Sequence, residues 1–162
     1  MAKIINAKKK FFGTDGIRGP ISSKTSPDFI LKLGWAAGEV FKDQGISSFI
    51  IGKDTRISGY MLEAALQAGI ISSGLNVRLV GPLPTPAISY LVSTFKSQAG
   101  IVISASHNSY EDNGIKFFDD KGQKISDETE LLIEQKISEP IKVVDPENLG
   151  KAARLTDASG RY

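Results

Sequence analysis

Residues 101–118 read IVISASHNSYEDNGIKFF: an apolar run ending in Ser-Ala-Ser-His-Asn, then a polar turn, then a second apolar run. Gly100 to Ser104 has the composition of a buried strand, and Ile115 to Phe118 that of its return. Between them the chain lifts Ser106 off a strand end, with His107 beside it and Lys116 a few residues on. A hydroxyl held there among cations and free backbone N–H groups suits carrying a phosphoryl group.

On either side of this stretch, strands and helices alternate. Ser26-Pro27 reads as an N-cap followed by proline at the first helical position. Phe29, Ile30, Leu33, Ala36, Ala37, Val40 and Phe41 then recur at helical spacing until Gly45 closes the segment. Ser48 to Ile51 predicts a short strand before GKDTRISG (52–59), and a second helix runs from about Gly59 to Gly74. Val77 to Val80 predicts a strand that Pro82, Pro84 and Pro86 turn into a stiff loop feeding a helix over 86–95. Asp119 to Gly122 is a turn signal, and Ser126 caps a last helix with Glu128 and Glu130 in its first turn.

That alternation predicts a layered α/β domain with a mixed, mostly parallel sheet, the pair in the 100–125 region supplying an antiparallel edge. Ligands of such sheets lie at the carboxyl ends of the strands. The loops 53–59, 81–86 and 104–113 all leave such ends, and their convergence predicts a site. Residues 1–10 read as an N-terminal arm, with Lys8, Lys9 and Lys10 solvated, and 11–140 as the domain. Residues 141–162 carry no complete element in this reading and form a linker and the start of a second domain.

The chain has 162 residues, a net charge of +2 and no cysteine. The balance gives no electrostatic case for a nucleic-acid or membrane partner. Without cysteine there is no disulfide framework and no thiol nucleophile, and a zinc reading weakens. No apolar stretch approaches the roughly 18 residues of a membrane span. The expectation is a soluble, cytoplasmic protein.

Ser106-His107 does not make a hydrolase. Side chains of adjacent residues in extended chain point apart, the G-x-S-x-G elbow is missing, and His107 is the only histidine. Phosphate handling fits better. Asp15 to Gly19 brackets Arg18 with glycines, and Gly52 to Arg56 puts Lys53 and Arg56 just after a strand. Each of these alone is ordinarily a turn with solvated charges; together with a strand-end serine they form a signal. No P-loop sequence and no dense carboxylate cluster accompany them, so a metal would need ligands from outside this chain.

The stretches FFGTDGIRG (11–19), LKLGWAAG (31–38), IIGKDTRISGYMLE (50–63), GPLPTPAISYL (81–91) and GIVISASHNSYEDNGIKFFD (100–119) resemble the first domain of the α-D-phosphohexomutases, in particular their glucosamine branch. The resemblance implies a three-layer α/β/α domain of a four-domain enzyme. It implies that Ser106 is a phosphoserine interconverting glucosamine 6-phosphate and glucosamine 1-phosphate through glucosamine 1,6-bisphosphate, a step feeding amino-sugar nucleotide and cell-wall synthesis. By the same resemblance Arg18, His107 and Lys116 join Ser106 in catalysis, Lys116 as acid–base or as charge neutraliser. Arg18, Lys53, Arg56 and Asn108 would bind phosphate. Mg²⁺ would be held by the Ser106 phosphate and by ligands in a following domain, and the full-length protein would have those domains, and a second copy of itself, as partners.

Two departures qualify the resemblance. The family reads His-Asn-Pro where this chain has His107-Asn108-Ser109, which predicts a less rigid loop. The chain also lacks the family's metal, sugar-recognition and distal phosphate loops, so it is expected to fold without turnover. Two alternatives stay open: mannose or glucose phosphate as the sugar, and a non-catalytic phosphosugar-binding module. Ser104 is the competing phosphate acceptor.

Overall fold

Six strands form one sheet in the order β1-β5-β4-β2-β3-β6, and its alternating faces decide where every helix goes. The computed structural model describes residues 8–22, 25–96 and 98–162. The arm expected over 1–10 therefore lies outside the described residues except at Lys8, Lys9 and Lys10. The central strands β2 (Ser48–Lys53) and β4 (Gln98–Ile103) are buried along their whole length. They are parallel, with Ile51 opposite Ile101. Near-continuous apolar runs of this kind belong to strands covered on both faces.

Side chains alternate across the pleat. Phe49, Ile51, Ala99, Ile101, Ile103, Ile115 and Phe117 turn to one face and meet α1 (Pro27–Asp43), α2 (Ser58–Ser72) and α4 (Asp127–Ile137) in the larger core. Ile50 and Val102 turn to the other face and meet Ile88, Leu91 and Val92 of α3 (Thr85–Thr94). The result is the expected α/β/α sandwich with a mixed sheet. Ser126 caps α4 as expected, its hydroxyl accepting the Thr129 N–H.

Three features differ from the sequence reading. β5 (Asp112–Phe118) pairs antiparallel with β4 but is not the edge, because β1 (Ile17–Pro20) pairs antiparallel along its outer side. β3 (Asn76–Pro82) runs on through Gly81 and Pro82, with Val80 skipped in the pairing, so that Ile51 of β2 faces Leu79 and Gly52 faces Gly81. The segment after Pro140 is ordered structure rather than an elementless linker. Its Lys142 carbonyl accepts the Trp35 indole N–H, and Val144 N–H and Gly150 N–H donate to carbonyls of Ser72 and Ile71. It then adds β6 (Ala152–Arg154) parallel to β3 and ends in a short helix, α5 (Ala158–Arg161), whose Ala158 is buried in the α3-side core.

Lys9 is half-buried and paired rather than a free solvated charge. Its ammonium donates to Asp127 at 2.8 Å and to Glu130 at 2.6 Å, tying the chain start to the first turn of α4. These bonds push Lys9 up to about 12 and hold Asp127 below its ordinary value of 3.8. A raised lysine stabilises below its ordinary value and loses that contribution as pH rises through about 12; a lowered carboxylate stabilises above its ordinary value and loses it as pH falls. Glu130 is 1% exposed, and without Lys9 it keeps only Lys124 at 3.6 Å. Lys9→Met is thus expected to destabilise by about 1–3 kcal/mol. The melting-temperature gap to the parent should be flat between about pH 5 and about pH 9 and shrink in acid.

Candidate active site

The backbone of the 104–113 loop is set by local chemistry. Ser104 N–H closes on the Gly114 carbonyl, ending the β4–β5 ladder, and Asn108 N–H turns back to the Ala105 carbonyl. Ser106 then sits at φ 53°, in the left-handed region, and among the described residues it is the one non-glycine there. Such a conformation costs on the order of 1 kcal/mol or more and persists where the surroundings over-determine it. Here Ser106 N–H donates to the Ser104 hydroxyl at 3.1 Å, so Ser104 is engaged in shaping the loop.

Arg18 reaches this serine from β1, where its register partner is Gly114 of β5. Its Nη2 lies 3.4 Å from the Ser106 hydroxyl oxygen, while its Nε is buried without a hydrogen-bond partner. Gly16 makes that approach possible. At φ +82° its backbone crosses β5 so closely that a Cβ would stand 2.2 Å from the Ile115 carbonyl oxygen. Of the two glycines that bracket Arg18, Gly16 therefore serves close packing of the 13–16 turn on β5, while a Cβ at Gly19 would meet nothing within 4 Å.

Lys53 and Arg56, expected to face phosphate, are engaged by protein groups. Lys53 is 3% exposed; its ammonium pairs with Glu63 of α2 at 2.8 Å and lies over the Tyr60 ring at 4.5 Å. Arg56 N–H and Nε both donate to the Asp54 carboxylate, and its two terminal nitrogens donate to carbonyls of Ser106, Asn108, Ser109 and Asp112. The loop that lacks the family's proline is thereby held from within by a guanidinium. Asn108 is likewise partnered, its amide donating to Asp112 at 2.9 Å. His107 is exposed beside Ser106.

Lys116 stands on β5 opposite Val102 and so faces the α3 side of the sheet. It lines a cavity of about 240 Å³ together with Asp15, Gly16, Thr85 and Lys124. The structure thus brings Arg18 to Ser106, places Lys116 in a cavity lined by the 13–16 turn and Thr85, and joins the three predicted loops. Asp54 N–H reaches the Ile103 carbonyl, Leu83 N–H reaches the Lys53 carbonyl, and Thr85 shares the cavity wall.

Asn113 was not foreseen. Fully buried, it donates to the Ser58 hydroxyl at the first turn of α2 and accepts the Gly114 N–H, pinning β5 to the helix that follows Arg56. The only sequence signal for it is an Asn-Gly pair inside an otherwise apolar strand, which reads as a turn.

Residues 9–143 match the family described as phosphoglucomutase/phosphomannomutase, alpha/beta/alpha domain I. The chain belongs to that family. The curated relatives of this phosphohexomutase domain include a phosphoglucosamine mutase of Psychromonas ingrahamii, 61% identical over 156 residues. Another, of Vibrio atlanticus, is 58% identical over 159 residues, which are 98% of this chain and 36% of the relative. The phosphohexomutase domain therefore spans about a third of the length of these relatives. Among solved structures, a phosphoglucomutase/phosphomannomutase family protein of Burkholderia thailandensis superposes with a TM-score of 0.78 at 26% identity, covering 93% of this chain and 34% of the other.

Proposed function

We propose that this chain is the phosphoserine domain of a phosphohexomutase acting on glucosamine phosphate, with Ser106 as the residue that carries the phosphoryl group. The observation that carries the reading is Ser106 itself, held at positive φ with its hydroxyl 3.4 Å from the Arg18 guanidinium. A phosphoryl group on that oxygen has a bidentate cation within reach. In the forward half-reaction a sugar hydroxyl attacks the phosphorus, the bond to Ser106 Oγ breaks as the bond to the sugar forms, and the proton lost by the attacking oxygen is balanced by one gained at Ser106 Oγ. The reverse half-reaction returns the other phosphate of the bisphosphate to Ser106. Lys116 is the group we assign to that proton or to the accumulating charge, and His107 completes the exposed side of the serine.

The sugar assignment rests on relatives at 58–61% identity that are phosphoglucosamine mutases, against 26% to the family protein of B. thailandensis. Mannose and glucose phosphate are the second reading. The family generally uses Mg²⁺. The described residues do not make a cage for it: they hold no group of three or more His, Asp or Glu side chains placed for a cation. Asp54 is occupied by Arg56, and Asp112 by Asn108. A phosphate on Ser106 would be the one ligand this site offers, and the remaining ligands, like the sugar-recognition groups, would come from elsewhere in a longer protein.

The test is intact mass and phosphopeptide mapping after incubation with glucosamine 1,6-bisphosphate. It compares this chain, a version extended to the length of its relatives, and Ser106→Ala in both. Phosphate is expected on Ser106 of the extended protein and not on its Ser106→Ala variant, with no mutase turnover by the 162-residue chain alone. Phosphate on neither protein would overturn the catalytic reading and leave a phosphosugar-binding module. Phosphate retained in Ser106→Ala would transfer the role to another hydroxyl, Ser104 first.

A further inference from the structure

We propose that Arg56 is the positioning residue of the Ser106 loop, acting through the loop backbone rather than by touching phosphate; the proposal rests on the phosphoserine reading above. A guanidinium has five N–H donors in a rigid planar fork. In Arg56 all five are matched: Nε to Asp54 at 2.9 Å, Nη1 to the Ser109 and Asp112 carbonyls, Nη2 to the Ser106 and Asn108 carbonyls at 3.0 Å each. None is left for a ligand. Asp54 fixes the plane of the fork and offsets its charge.

The four carbonyls belong to a seven-residue stretch with few backbone bonds of its own. Apart from Asn108 N–H to the Ala105 carbonyl, Asp112 N–H to the Ser109 carbonyl, and the side-chain bonds of Ser104 and Asn108 described above, its turns are closed by Arg56. The peptide bonds of this stretch are trans, and in a trans peptide the N–H points opposite to the C=O. Turning the carbonyls of Ser106, Asn108 and Ser109 onto the guanidinium therefore turns the N–H groups of His107, Ser109 and Tyr110 away from it. Among the described residues these three donors have no protein acceptor. One half-buried fork thus holds Ser106 at its positive φ and leaves a row of amide donors on the outer side of the serine loop, the arrangement that receives an anion. Lysine cannot replace it, since one nitrogen cannot reach acceptors on both arms of the loop and has no second edge for Asp54.

The experiment measures the rate at which glucosamine 1,6-bisphosphate phosphorylates Ser106 in the extended protein, for the parent, Arg56→Lys, Arg56→Ala and Asp54→Asn. In parallel, NMR on the 162-residue chain reads the strong intraresidue HN–Hα NOE that a positive φ gives Ser106. Both Arg56 variants are expected to lose about 10²-fold in maximal rate, the penalty of a misplaced reacting group. The half-saturating bisphosphate concentration should stay within about twofold, because no phosphate contact is lost. The Ser106 NOE should weaken in both, and Asp54→Asn, which loosens the fork without removing it, should give the same pattern at smaller size. Millimolar guanidinium should restore rate to Arg56→Ala but not to Arg56→Lys, where the lysine fills the slot.

A raised half-saturating concentration at unchanged maximal rate would overturn the proposal in favour of direct phosphate binding, and so would full activity in Arg56→Lys. If the parent itself takes no phosphate, the phosphoserine reading fails by itself. The NOE then decides Arg56 alone: unchanged in Arg56→Ala, it overturns the positioning role, and weakened, it upholds it.

Discussion

Glu63→Ala is expected to destabilise the domain by about 3–5 kcal/mol, the cost of leaving a buried charge without its partner. The partner is Lys53, at the carboxyl end of β2, whose side chain is 3% exposed and whose ammonium has Glu63 as its carboxylate at 2.8 Å. Most of that loss is the stranded lysine rather than the pair's net worth. Replacing both, Lys53→Met with Glu63→Leu, should therefore recover most of it and end within about 1.5 kcal/mol of the parent. Urea unfolding of the two single variants and the double variant measures the coupling. A loss in the double variant equal to the sum of the two single losses would mean that the pair is not coupled in the folded state.

The second large effect belongs to the contact between α1 and α2. Gly69→Ala is expected to cost about 3 kcal/mol, near the upper end for an overpacked core position. A Cβ at 69 would stand 2.0 Å from the Leu31 carbonyl oxygen and 2.6 Å from the Trp35 nitrogen, both backbone atoms that cannot swing aside. Helix propensity argues the other way, since alanine is better than glycine in a helix interior by about 1 kcal/mol. The clash wins because the helices would have to separate along the larger core. Gly160→Ala, where an added Cβ meets nothing within 4 Å, is the matched control and should leave the melting temperature nearly unchanged. A Gly69→Ala variant as stable as that control would show that α1 and α2 can move apart freely.

Much of the sandwich is legible in the sequence because its elements announce themselves locally. α1 has an apolar stripe, a serine before a proline and a glycine stop; α4 has a serine whose hydroxyl does cap it. β2 and β4 are short runs of branched and aromatic residues. The elements that escape notice are those whose reason lies elsewhere in the chain. β1 is Ile-Arg-Gly-Pro, with Ile17 its one fully buried residue, and is a strand only because β5 offers it an open ladder. β6 has three exposed residues and no apolar signal.

The site divides in the same way. The exposure of Ser106 is readable because a serine just past a buried strand is lifted out by its position. The assignment of Lys53 and Arg56 is not, since a cation after a strand looks the same whether it meets a ligand or the protein. Lys53 is decided by a glutamate one helix away, and Arg56 by four main-chain carbonyls, which any residue type presents. Backbone acceptors leave no trace in an amino-acid sequence.

The two outer strands have a bearing on association between molecules. A sheet margin is a row of unpaired backbone groups on which another chain can build fibrils, and its danger grows with length and flatness. Here one margin is four residues long and ends in Pro20, which has no N–H to offer. The other is three residues long, ends in Arg154 and follows Lys151, whose N–H is already committed to Asn76. Removing the segment from 141 onward would bare the seven-residue β3 instead, so this strap is what stands between the folded domain and edge-to-edge aggregation.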